Sequence, residues 1–331
     1  MSDFEVFEAT GFALQKGGAL PTAKLAYKTM GKLSAAGDNV VLIPSWYSGT
    51  HREAEFCMVG PNRAISADRH FIVFVNLLSG GVSSSPSNTP APYEATRFPR
   101  VTLFDNVRLQ HMLLTERLGV ERIKLVAGWS MGGCQAFQWG AQYPAMMEAI
   151  APLCSSARTA HFNKVFLLSL QRALMLDPAF AEGFYTRPPL AGLKAFAAIY
   201  AGWGFSEPFY RTEGFRQFGA ATSEEFVASF WEGAFIHHDA NDLLTLLQTW
   251  YDGDIAAGDD FDAALRSITA RAVIMPGQYD TYFPPVDSEY EASRMPSAVC
   301  RTIPSIWGHM TLWNPDDRAF IDAGLRLALG E

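Results

Sequence analysis

The amino-acid sequence predicts an α/β protein, a mostly parallel, doubly wound sheet with a helical cap inserted into it. Three observations carry that prediction. Short apolar, β-branched runs bounded by turn residues recur before residue 155 and again after residue 265, joined by segments of helical periodicity. Between those limits the strand signal gives way to helical stretches rich in aromatic residues. Finally, a strand, a tight turn and a helix follow one another around Ser130. The expected division is a core of residues 1–154 and 266–331 and a cap of residues 155–265.

The first strand signal is Val40–Pro44 (VVLIP), continuous in apolar side chains, as a parallel strand buried on both faces requires. Phe71–Leu78 (FIVFVNLL) is the second. The Gly-, Ser- and Pro-rich stretch Ser79–Pro92 then reads as a long surface loop. From Asp105 to Leu118, the residues Val107, Met112, Leu113, Leu114 and Leu118 recur at roughly helical spacing and Gly119 closes the pattern, which predicts a crossover helix. Ile123–Ala127 (IKLVA) gives a third strand, and a helix over Gly132–Tyr143 begins just after the turn that holds Ser130. In the cap, Phe162–Leu176 and Leu190–Ala201 read as helices. The strand pattern returns at Arg271–Met275 (RAVIM) and Ala298–Ile303 (AVCRTI), and Pro315–Leu329 closes as an amphipathic helix.

Composition narrows the function. The 331 residues exceed the usual single-domain size, but one large core with an insertion accounts for them. Apolar residues at 49% and charged residues at 18% fit a well-buried soluble enzyme and exclude a disordered chain. A net charge of −8 without any cluster of Lys and Arg argues against a nucleic-acid partner. Neither a basic start with an apolar stretch nor an apolar run of about 18 residues is present, so a cytoplasmic protein with no membrane partner is expected. Cys57, Cys134, Cys154 and Cys300 are scattered without CxxC spacing, which predicts reduced thiols and no metal site. Nucleotide, dinucleotide and zinc-hydrolase patterns are missing too, so no cofactor is expected.

The central chemical signal is Gly128-Trp129-Ser130-Met131-Gly132, a GxSxG pentapeptide lying where a strand must turn sharply into a helix. Such a turn strains the serine backbone so that its hydroxyl stands at the carboxyl edge of the sheet, and small glycines let strand and helix approach. The pentapeptide alone is weak, but its place between IKLVA and CQAFQWGAQYP makes it the nucleophile turn of an α/β-hydrolase fold. A serine hydroxyl needs a base whose pKa lies near the working pH. Of seven histidines, His309 follows the last strand in Trp307-Gly308-His309 and comes after the serine, as this fold requires. His51, His70, His111, His161, His237 and His238 read as structural.

Asp280, on the loop after RAVIM, is the acid expected to orient the imidazole, with Asp287 as runner-up. The developing oxyanion needs two N–H donors, one from Met131 and one from the loop after VVLIP, where Tyr47 is the expected donor. Trp46, Trp129 and Trp307 flank these positions and would narrow the acyl pocket. Cys134 reads as an inert buried thiol.

Through nearly its whole length the chain resembles the homoserine O-acetyltransferase family. The blocks GPNRAISADRHFIV, FPRVTLFDNVRLQHMLLTERLGVERI, GWSMGGCQAFQWGAQYP, Arg187-Pro188-Pro189 leading to Gly192-Leu193, and YDTYFPP carry the resemblance. It implies a triad of Ser130, Asp280 and His309, an acyl-serine intermediate and a homodimer, with acetyl-coenzyme A as co-substrate only for a transferase. Three positions depart from the family. An acidic residue directly after the histidine holds the amino group of homoserine there, whereas this chain has Met310, whose thioether cannot pair with an ammonium. The family's cap arginine for the substrate carboxylate falls at Ala197 on an ungapped reading, with Arg187 or Arg211 as substitutes. The small residue often found before the nucleophile is Trp129. The expected function is therefore a serine-dependent acyl hydrolase, an esterase acting on small esters. The alternatives are an O-acyltransferase using acyl-coenzyme A and a small alcohol or amine, and a non-catalytic ligand-binding protein that keeps the fold.

Overall fold

The computed structural model describes residues 3–331. Its sheet has eight strands in the order β1-β2-β4-β3-β5-β6-β7-β8. They are β1 (Glu5–Ala13), β2 (Ala19–Met30), β3 (Val40–Pro44), β4 (Phe71–Val75), β5 (Leu125–Trp129), β6 (Ala149–Leu153), β7 (Arg271–Ile274) and β8 (Ala298–Cys300). From β4 to β8 every pairing is parallel, while β1 and β2 form an antiparallel hairpin that joins β4 antiparallel, with Tyr27 opposite Val75. The sheet is thus mostly parallel and covered by helices on both faces, as predicted. In β3, Val40 and Leu42 pack into one hydrophobic cluster and Val41 and Ile43 into another, which is why that strand tolerates no polar alternation.

Three strands escaped the sequence reading, each for a local reason. Strand β1 is an edge strand with mostly exposed side chains, and β2 mixes Ala, Thr and Lys, so neither offers a strong apolar alternation. Strand β6 (AIAPL) carries Pro152, which argues against a central strand, yet the strand is fully buried. The stretch Ser79–Pro92 is also not simply a surface loop, because Ser79, Ser83, Ser84 and Ser85 are buried. The hydroxyls of Ser84 and Ser83 accept from the backbone N–H of Lys24 and Ala26 at 2.9 and 3.0 Å, so serine side chains satisfy part of β2.

The core helices are α1 (His51–Met58), α2 (Leu103–Met112) and α3 (Met131–Gln142). Helix α2 starts two residues before the expected Asp105, because Thr102 and Asp105 form a reciprocal capping box. It ends early as well, in a wider turn over Leu113–Arg117 where Leu118 N–H donates to Leu113 O. Between β6 and β7 lie α4 (His161–Met175), α5 (Leu190–Gly204), α6 (Glu207–Arg211), α7 (Ser223–Phe226), α8 (Gly233–Phe235), α9 (Ala240–Tyr251) and α10 (Phe261–Ser267). Helix α11 (Pro285–Arg294) follows β7, and α12 (Arg318–Leu329) closes the chain after a short helical turn over Pro315–Asp317. The aromatic residues of α4 to α9 pack on one another and on Tyr282, which fixes this helical layer over the carboxyl ends of the strands.

Candidate active site

Ser130 stands between β5 and α3 with φ 56° and ψ −129°, a strained conformation for a non-glycine residue. The flanking glycines explain how the turn closes. A Cβ on Gly128 would lie 2.3 Å from the Gly132 carbonyl carbon, and one on Gly132 would lie 2.5 Å from Pro44 O. Gln135 of α3 donates to Ser45 O at 2.9 Å, tying the loop after β3 to the helix that carries the turn. The backbone N–H groups of Tyr47, in that loop, and of Met131, directly after the serine, have no acceptor among the described residues.

His309 lies in a short helical turn, Gly308–Trp313, after β8. Gly308 takes φ +63°, and a Cβ there would meet Ser206 N at 2.9 Å, so the turn that delivers the imidazole needs glycine. His309 Nε2 is 3.0 Å from Ser130 Oγ, and His309 Nδ1 is 2.7 Å from Asp280 Oδ2. The second Asp280 oxygen accepts from Tyr282 N–H and Phe283 N–H at 2.9 and 3.1 Å. Because a carboxylate only accepts, Nδ1 carries the proton and Nε2 is free to accept from the serine. All three residues are buried. The geometry is that of a nucleophile, a base and an orienting acid.

Aromatic rings clamp the imidazole. Trp129 stacks on it at 4.5 Å and 28°, Tyr282 meets it edge-on at 4.6 Å, and Trp46 meets Trp129 edge-on at 5.0 Å. Trp129 Nε1–H also donates to the His309 carbonyl at 3.1 Å. The Cys154 sulfur, 3.3 Å from Thr311 Oγ1, shares a 4.8 Å neighbourhood with Asp280 and His309 whose donor atoms could hold a metal ion. Burial pushes that thiol well above its usual range, and Nδ1 and the carboxylate already hold one another. Burial likewise pushes Cys134 up to about 12, as an inert thiol requires.

A cavity of about 360 Å³ opens over Ser130 and His309. Trp46, Trp129 and Met310 line it, together with Tyr47. Trp307 does not. It turns away into the cap and packs on Phe205, Phe209 and Phe218 with ring centroids at 5.5 to 5.8 Å. The left-handed Gly308 between them sends Trp307 and His309 in different directions. The opposite wall comes from the cap, from Tyr200, Phe230, Trp231, Phe235 and His238, with Trp313 and Glu53 from the core. No sequence signal marks these residues, since their spacing says nothing about how the cap folds back. His238, read from the sequence as structural, is among them.

Other candidates fall elsewhere. Asp287 lies on α11 in a separate cleft beside Arg158 and Lys164. His70 accepts from Ser66 N–H, His51 pairs with Asn76, and His111 stacks on Tyr143. The Tyr47 phenol donates to Leu243 O at 2.9 Å, tying core to cap. Ala197 is buried, Arg211 pairs with Glu207, and no Lys or Arg among the described residues lines the cavity.

Residues 38–316 match the alpha/beta hydrolase fold family. An ethyl acetate hydrolase of Pseudomonas veronii is 34% identical over 317 residues, covering 95% of this chain and 91% of that protein. A homoserine O-acetyltransferase of Trichormus variabilis is 33% identical over 320 residues, covering 90% and 86%. The solved structure of the acetyl esterase MekB superposes with a TM-score of 0.98 at 33% identity, covering 100% of this chain and 97% of that one.

Proposed function

The chain belongs to the α/β-hydrolase family, and on that premise we propose that it is a serine-dependent acyl hydrolase of small, uncharged esters. The observation that carries the reading is the hydrogen-bonded run Asp280–His309–Ser130 at 2.7 and 3.0 Å, at the floor of an aromatic cavity that no Lys or Arg among the described residues lines. His309 Nε2 takes the Ser130 proton as the oxygen attacks the ester carbonyl. Asp280 holds the imidazole in the required tautomer and stabilises its charged form. The backbone N–H groups of Tyr47 and Met131 receive the oxyanion. His309 then protonates the leaving alcohol, and water, deprotonated by the same imidazole, releases the acid from Ser130. No cofactor enters these steps.

Similarity to the ethyl acetate hydrolase supports water as acceptor, and similarity to the homoserine O-acetyltransferase supports a second reading, acyl transfer from acetyl-coenzyme A to a small alcohol or amine. Met310 and the missing cavity cation weigh against homoserine itself. The chain is further proposed to act as a cytoplasmic homodimer. Its cysteines are free thiols, and Phe162, Val165 and Leu168 form an exposed apolar stripe along α4 suited to a second copy. Among the described residues no helix is long and apolar enough to cross a membrane.

The deciding assay is hydrolysis of p-nitrophenyl acetate and butyrate by wild type and Ser130→Ala, with and without acetyl-coenzyme A and a panel of alcohols including homoserine. Free acid released only by the wild type, whatever acceptor is added, supports the hydrolase. Acylated alcohol as main product supports the transferase, and turnover that survives Ser130→Ala sinks both.

A further inference from the structure

Glu53 and His238 come from different layers of the molecule, the first turn of α1 in the core and the cap segment before α9, yet both line the cavity over Ser130. Each keeps hydrogen-bonding capacity that the protein does not use. Glu53 Oε2 accepts from the backbone N–H and the hydroxyl of Thr50 at 2.8 and 2.7 Å, its share of the α1 capping box. Its Oε1 has no donor among the described residues. The His238 imidazole has no hydrogen-bond partner among them either; only its backbone N–H is engaged, to Phe235 O. Burial lowers the imidazole pKa from its usual value, so at neutral pH the ring is uncharged, with one nitrogen a donor and the other an acceptor. Apart from Ala234, the other cap residues that line the cavity are aromatic.

We propose that Glu53 and His238 together recognise a hydroxyl group on the substrate, which makes the preferred ester a small, neutral, hydroxyl-bearing one. This deepens the acyl-hydrolase reading and rests on it. One hydroxyl satisfies both partners: its O–H donates to Glu53 Oε1 and its oxygen accepts from the His238 ring N–H. An alkyl group in the same place would leave a carboxylate oxygen and an imidazole unpaired in an aromatic, partly closed cavity, and sites built on hydrogen bonds discriminate strongly against analogues that lack the group. The hydroxyl could sit on the leaving alcohol or on the acyl chain, and the chemistry of recognition is the same.

The test compares kcat/KM for ester pairs in which a hydroxyl replaces a methyl. Ethylene glycol monoacetate against propyl acetate probes the alcohol side, and methyl β-hydroxybutyrate against methyl isovalerate probes the acyl side. Each ratio is divided by that pair's ratio of alkaline hydrolysis rates, which removes intrinsic reactivity. In wild type one corrected ratio is expected to exceed unity by about tenfold, and it identifies the side. In His238→Leu it falls to unity, while His238→Gln, which retains a donor and an acceptor, keeps part of it. Corrected wild-type ratios of unity in both pairs overturn the proposal without any variant, and so does an unchanged ratio in both His238 variants. A preference for acetylcholine over its uncharged carbon isostere, lost in Glu53→Gln, overturns it in favour of a cation site. Failure of the hydrolase reading shows separately, as turnover that persists in Ser130→Ala.

Discussion

Trp129 and His309 hold one another twice, through rings stacked at 4.5 Å and through the indole N–H, which donates to the histidine's own carbonyl at 3.1 Å. The residue before the proposed nucleophile thereby fixes the proposed base. In Trp129→Phe the ring contact remains and the hydrogen bond goes, which removes about 0.5–1.5 kcal/mol of positioning. The expected outcome is a fall of up to about tenfold in kcat with little change in KM for p-nitrophenyl acetate. A change confined to KM would show that Trp129 only shapes the pocket.

Asp280→Asn preserves shape while reversing the hydrogen bond that sets the imidazole tautomer. The amide also keeps an acceptor for Tyr282 and Phe283 N–H. Turnover should drop by about 10⁴-fold with the thermal midpoint nearly unchanged. A loss below about tenfold would remove Asp280 from the mechanism and send the search to another acid.

Gly132→Ala tests the turn. Its Cβ would come 2.5 Å from Pro44 O, backbone at the end of β3 that cannot step aside without moving the Tyr47 loop. A loss of about 1–3 kcal/mol in urea unfolding is expected, together with a fall in kcat as the two N–H donors separate. Unchanged stability would mean that β3 and α3 are not in close contact here.

Asp242 of α9 provides a pH test of stability. Burial raises its carboxyl to about 7, although Ser87 donates to it from both its backbone N–H and its hydroxyl. A carboxyl whose folded pKa exceeds its unfolded value binds its proton more tightly when folded, so it lowers stability progressively as pH rises from about 4 to about 7. Asp242→Asn should therefore gain on the wild type across that window, by at most about 1.4 kcal/mol per pH unit, and the gain should level off above it. A difference that is flat with pH would show that Asp242 stays ionised throughout.

Met310→Asp places a carboxylate on the cavity wall directly after the base. Hydrolysis of p-nitrophenyl butyrate should fall about tenfold or more, since the charge is desolvated against aromatic rings. Acetyl transfer to homoserine should remain undetected by product chromatography, because no Lys or Arg among the described residues lines the cavity to pair with its carboxylate.

The parts of this protein that could be read from the chain are those whose cause is local. Val40–Pro44 reads as a strand because both its faces are buried, and Gly128 and Gly132 mark the serine turn because a backbone stands where a Cβ would be. Of the proposed triad only Ser130 directly follows a recognisable strand, β5, whereas Asp280 and His309 lie on loops beyond β7 and β8, where strand order alone points to them. Where a local signal is diluted the reading fails, as in the Pro152 strand and in the serine-rich stretch whose hydroxyls serve β2.

The α/β sheet and the serine turn between β5 and α3 are thus legible in the chain, because periodicity and turn chemistry act over a few residues. What surrounds Ser130 depends on how the cap packs on the sheet. Helices α5 to α9 fold over the sheet edge so that Tyr200, Trp231 and His238 face Ser130 across the cavity while Trp307 turns away. Those contacts join residues far apart in the chain, and their energy lies in aromatic surfaces that match only once the cap has closed on the core.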